Sequence, residues 1–146
     1  AYSGEAIEAV KLHQKYVTCN SIPNALGHSR EQEVIESSIV LQGKNTKTNY
    51  LHANSYLILE RLDPKIRGEF IFNSQPIDRL LEDNRVETYR EIIDCGIEPA
   101  GNLAEWFDIE ANAEIIYRTY LVLINGLPAI QITERFPTSH FVDDTL

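Results

Sequence analysis

A carboxylate on the apolar face of a β-strand has few stable options: it pairs with a cation, accepts hydrogen bonds, or keeps its proton and acts as a donor. Glu134 is such a residue. Near the end of the chain, Ile130, Ile132, Glu134 and Phe136 alternate with Ala129, Gln131, Thr133 and Arg135, so a strand turns Glu134 toward the apolar side. Periodicity alone leaves two roles open: an acid or base for a bound molecule, or a structural carboxylate that reaches solvent or a nearby arginine such as Arg118. Arg79, Arg85 and Arg90 lie near expected helix ends and read as solvated charges, each able to grip a carboxylate. Tyr117, Tyr120, Trp106 and Phe107 could stack on an aromatic ligand or simply fill a strand core.

Other chemistries find little support. His13, His28, His52 and His140 fall at unrelated spacings, and Cys19 and Cys95 form no C-x-x-C pair, so neither a metal site nor a disulfide framework is indicated. A Ser-His-Asp relay would have to be assembled by the fold alone. The segment GKNTKT lacks the later glycine of a phosphate-binding loop, which argues against a nucleotide site.

The elements that must position Glu134 follow from periodicity and turn chemistry. Asn125-Gly126 joins two apolar runs, 112–124 and 127–137, and both residues tolerate the positive φ of a type I′ hairpin turn. The runs 33–42 and 49–59 flank GKNTKT and form a second hairpin, and 4–18 reads as a long first strand. Asp63-Pro64 and Pro76 open two short helices, over 65–70 and around Ile77, Leu80 and Leu81. Residues 86–95 suit helix or strand, and a strand is favoured. The tail from Val142 to Leu146 is polar and reads as frayed.

The chain has 146 residues, 43% of them hydrophobic, the size of one domain with a real core. With 13 basic against 22 acidic residues its formal charge is -9, which repels phosphate backbones and anionic lipid, so nucleic acid and membrane are not expected partners. No apolar run reaches a membrane span and the start has no signal-peptide pattern, so the expected location is cytoplasmic. The oligomeric state is not legible.

Three blocks occur in an order that resembles the chorismate pyruvate-lyases and their relatives: IVLQGKNTKTNYLHANSYLILERL, QPIDRLLEDNRVETYREI, and YRTYLVLINGLPAIQITERFP with its closing T-E-x-F-P. The resemblance implies an α+β fold over residues 1–146, an antiparallel sheet with helical flaps enclosing a buried ligand cavity. It implies cleavage of the enolpyruvyl ether of chorismate to 4-hydroxybenzoate and pyruvate, with no cofactor and no metal. Glu134 matches the family's acid. The substrate-binding positions implied are Ser37, Ala53, Asn54, Ile77, Asp78, Arg79 and Arg118. Two of these depart from the family pattern. Ser37 stands where an arginine grips the ring carboxylate, and Pro76-Ile77-Asp78-Arg79 replaces P-L-G-R, setting an acid where glycine lets backbone approach a ligand. Both changes keep two alternatives open: the same scaffold acting on a less anionic substrate such as a natural-product intermediate, and a non-catalytic small-molecule-binding module.

Overall fold

The computed structural model describes residues 5–18, 22–27, 32–72 and 76–140. Six antiparallel strands form one sheet: β1 (Ile7–Tyr16), β2 (Val34–Gly43), β3 (Asn49–Ile58), β4 (Tyr89–Pro99), β5 (Glu114–Ile124) and β6 (Leu127–Pro137). Their spatial order is β1-β2-β3-β6-β5-β4. Two halves of three strands therefore meet at a seam between β3 and β6. Both edge strands carry an irregularity, between Lys11 and His13 in β1 and between Ile92 and Asp94 in β4, a common way of blunting an open edge.

The hairpins form as their turn residues dictate. Asn125 and Gly126 take φ of 53° and 79° between β5 and β6, as a type I′ turn requires. At the β2–β3 turn, the Glu5 carboxylate accepts from the backbone N–H groups of Asn45 and Thr46 and from the hydroxyls of Thr46 and Tyr50. These bonds hold its pKa down at about 2. Glu5 packs so closely on Gly43 that a side chain there would collide with it.

The link from β3 to β4 must pass β6 and β5, and its two ends lie at the same end of the sheet. It crosses one face and carries the helices with it: α1 (Pro64–Phe72) and α2 (Ile77–Asp83). Asp63 accepts from the Lys65 N–H at the start of α1, the capping role expected of it. Pro76, by contrast, caps α2 from an extended conformation rather than opening it as the first helical residue. Under these helices Ile66, Phe70, Leu80 and Leu81 bury against Ile35, Leu57, Val122, Ile130 and Ile132 of the sheet. The opposite face has a smaller core of Val34, Ile58 and Leu121 under Ile22 and Leu26. Arg61 ties the two regions together, donating to the carbonyls of Leu26, Gly27 and Pro128.

Several sequence expectations need correction. The strand expected over 86–95 begins at Tyr89 and runs to Pro99 because β5 offers partners that far. Arg90 accordingly sits within β4 and not at a helix end. Trp106 and Phe107 are not strand residues but belong to a third short helix, α3 (Ala104–Phe107), with Phe107 buried and Trp106 partly exposed. Cys19, His28 and the tail 142–146 lie outside the described residues; Cys95 is an exposed free thiol. No helix among the described residues is long and apolar enough to cross a membrane.

Candidate functional site

Strand register builds the site row by row, because residues directly paired across strands project to the same face. One row runs Lys11, Ile39, Ala53, Glu134, Arg118 across β1, β2, β3, β6 and β5. The next runs Ser37, Ser55, Ile132, Tyr120. Both rows face the helices. Glu134 thus sits on a central strand at the seam, directly beside Ala53.

Between these rows and the start of α2 lies a pocket of about 260 Å³, lined by Ile39, Ala53, Ser55 and Ile132 below, Glu134 at one end, and Pro76, Ile77 and Asp78 above. That volume is close to the lower end of the roughly 300–1,000 Å³ usual for small-molecule sites, so it suits one small ring. A smaller compartment of about 30 Å³ adjoins it, sharing Ile39, Ser55, Pro76 and Ile77 and adding Lys11, Ser37 and Phe70.

Arg118 Nε donates to Glu134 Oε1 at 2.8 Å, with the glutamate side chain 16% exposed and the arginine side chain 49%. Glu134 Oε2 makes no hydrogen bond among the described residues, so it is the oxygen open to a ligand. Tyr120, two residues along β5, is buried beside this pair. Burial, reinforced by the negative charges of Glu134 and Asp78, pushes its phenol up to about 12 against the pull of Arg90 and Arg118. Arg90 crosses over from β4, donating to the Tyr120 hydroxyl at 3.2 Å and to Asp78 Oδ1 at 3.0 Å while its guanidinium lies over the tyrosine ring. Asp78 is thereby fastened to the far half of the sheet, which anchors α2 over the pocket.

Of the positions implied by the resemblance, Ala53, Ile77, Asp78 and Glu134 line the main pocket, Ser37 lines the adjoining compartment, and Arg118 holds Glu134. Asn54 alternates to the opposite face, where it accepts from Ser38 Oγ at 2.7 Å and donates to Glu36. Arg79 is exposed on α2 and lines neither compartment. The sequence reading passed over Lys11, Ser55 and the Arg90–Asp78–Tyr120 bridge. Their signal lies in the strand register, which no local pattern carries.

The opposite face does bring a serine, a histidine and an acid together. His13 Nε2 lies 3.4 Å from Ser38 Oγ and 3.4 Å from Glu36 Oε1. A nucleophile relay needs the two contacts on different ring nitrogens, and here both fall on one while the Ser38 proton goes to Asn54. The cluster is a structural network. Among the described residues, no group of three or more His, Cys, Asp and Glu residues could hold a metal ion.

A family model described as chorismate pyruvate-lyase Rv2949c-like matches residues 3–142. The chain belongs to this family. Within it, the chorismate pyruvate-lyase of Mycobacterium tuberculosis is 25% identical over 122 residues, covering 81% of this chain and 60% of that protein. The chorismate pyruvate-lyase of Mycobacterium leprae is 27% identical over 116 residues, 75% of this chain and 53% of that one. The chain therefore spans a little over half the length of these curated relatives. The fold is also that of regulator domains. The ligand-binding domain of a GntR-family transcriptional regulator from Bordetella bronchiseptica superposes with a TM-score of 0.76 at 14% identity, covering 97% of this chain and 91% of that one. The C-terminal domain of the histidine utilization repressor from Pseudomonas syringae gives 0.69 at 14% identity, with 94% and 95% covered. At such identities these likenesses speak for the fold alone: an α+β unit of the chorismate lyase and UTRA type.

Proposed function

We propose that this chain is a chorismate pyruvate-lyase-type enzyme whose site is the pocket between α2 and the β3–β6 seam. The observation that carries this reading is the position of Glu134: an acid at the end of a mostly apolar pocket sized for one ring, in a chain of this family. In the reaction the bond between the ring carbon and the ether oxygen breaks, the neighbouring ring carbon gives up its hydrogen, and the enolpyruvyl fragment gains a proton on its methylene to leave as pyruvate. No oxidant or co-reactant is needed, and aromatisation of the ring drives the step.

The protein's task is then to orient the ring and exclude water. Ile39, Ala53, Ile77 and Ile132 supply the apolar walls. Negative charge builds on the ether oxygen as the bond breaks, and in this reading Glu134, which lines the pocket and is held by Arg118, acts on the ring's oxygen substituents as acid or base. Incubation with chorismate tests the reading: pyruvate and 4-hydroxybenzoate form above the spontaneous rate, and Glu134→Gln lowers that rate by about 10²–10⁴-fold, the usual weight of a positioned acid or base. A folded protein that forms no product above background would overturn it.

A second reading is a small-molecule-binding module without catalysis, favoured by the likeness to the ligand-binding domain of the Bordetella regulator. A third, favoured by Ser37 and by the carboxylate of Asp78 in the pocket wall, is an enzyme for a less anionic substrate. Tight binding of 4-hydroxybenzoate without chorismate turnover supports the module; binding of neutral rings in preference to the acid supports the third.

A further inference from the structure

We propose that Lys11, on β1, is the carboxylate-binding group of this pocket and supplies the positive charge that Ser37 lacks. The inference rests on the pocket being a site for a ring-bearing acid, and it names the residue that holds the acid group.

Lys11 and Glu134 lie in the same cross-strand row, facing the same side, with Ile39 and Ala53 between them. Three strand spacings separate their backbones by roughly 14 Å. Lys11 and Glu134 thus stand at opposite ends of this stretch of the row, with Ile39 and Ala53 as the apolar floor between them. A planar ring with a carboxylate at one end and an oxygen at the other matches that arrangement. The two compartments, one ending at Glu134 and the other at Lys11, share Ile39, Ser55, Pro76 and Ile77 as common walls.

The state of Lys11 points the same way. It is half-buried, and its ammonium lies 5.7 Å from the centre of the Phe70 ring, a contact that orients the charge without neutralising it. Lys15 and Lys47 pair with Glu36 and Glu8 respectively, whereas Lys11 has no carboxylate partner among the described residues. In a chain of 22 acidic and 13 basic residues, a partly desolvated lysine facing a pocket without a counter-ion is poised for an anion from outside. The hydroxyl of Ser37, which also lines the Lys11 compartment, can donate a second hydrogen bond to an anion there. The compartment, at about 30 Å³, exceeds the roughly 10–15 Å³ that a water molecule requires, which is space for a small polar group beside Lys11.

The test measures binding of benzoate, 4-hydroxybenzoate and neutral 4-hydroxybenzamide by calorimetry to the wild type, Lys11→Met and Lys11→Arg, with chorismate turnover followed in parallel. The wild type is expected to prefer the acids over the amide. Lys11→Met should weaken the acids by roughly 10- to 100-fold, the weight of one charge-assisted hydrogen bond, and leave the amide nearly unchanged, while Lys11→Arg keeps most of the affinity for the acids. Acid binding with this pattern but no turnover of chorismate upholds the Lys11 site and sinks the lyase reading. Turnover with KM and acid affinity indifferent to Lys11→Met does the reverse. Equal losses for acid and amide in both variants would mean a packing role and overturn the inference, as would the absence of any acid binding.

Discussion

Individual side chains on the two faces of the sheet handle charge in contrasting ways. On the helix-covered face Glu134 lines the pocket, with one oxygen on Arg118 and the other without a hydrogen bond among the described residues. On the opposite face Glu36 is saturated. Burial alone would raise its pKa, yet hydrogen bonds from Tyr56, Asn54 and His13, with the charge of Lys15, hold it below the ordinary value. A carboxyl with a lowered folded pKa contributes stability above its unfolded value near 4.5, and this is lost as pH falls through the folded value. Urea unfolding of the wild type and Glu36→Gln at a series of pH values checks this. The wild type's advantage is expected to be full at neutral pH and to shrink steadily below about pH 4.5; an advantage that does not change with pH would contradict it. Much of this scale was legible in advance. Alternation placed Glu134 among Ile130, Ile132 and Phe136, and Arg118 was recognised as a neighbour able to hold it. Lys11 was not singled out, because its relation to Glu134 runs through pairings across three strands.

Among the elements, α2 decides whether the pocket exists. It is too short to be stable alone, and holds its place through Ile77, Leu80 and Leu81 in the core and through the Asp78–Arg90 bond to β4. Leu80 is 1% exposed, so Leu80→Ala is expected to cost about 2–5 kcal/mol, the range for such truncations. The urea midpoint should fall with no change in slope, and a loss below about 1 kcal/mol would contradict the role of Leu80 packing in holding α2. Elements with a strong local signal were readable: the Asn125-Gly126 hairpin and the Asp63-capped α1 stand where turn and cap chemistry put them. Those with a weak one were not. The four residues of α3 are too few to establish a helical period, and the bounds of β4 were set by the partners β5 offers rather than by its own residues.

For the whole molecule, the strand order joins the chain's beginning and end at one seam, and the pocket lies across it. β1, β2 and β3 contribute Lys11, Ser37, Ile39, Ala53 and Ser55; β6 contributes Ile132 and Glu134, the latter held by Arg118 of β5; the crossing segment between the halves supplies the roof. Such a site forms only when the β3–β6 pairing has closed, so affinity for a ligand and stability of that seam are linked. The formal charge of -9 opposes the approach of an anion over distance; with Arg90 and Arg118 already paired to Asp78 and Glu134, Lys11 is the cation at the pocket that works against that field. The most direct test of the account is a structure of the protein with 4-hydroxybenzoate bound. It should show the ring between α2 and the Ile39–Ala53 floor, its hydroxyl within hydrogen-bond reach of Glu134 and its carboxylate toward Lys11. A ring bound elsewhere, or bound there with its carboxylate against Glu134 and Arg118, would contradict it.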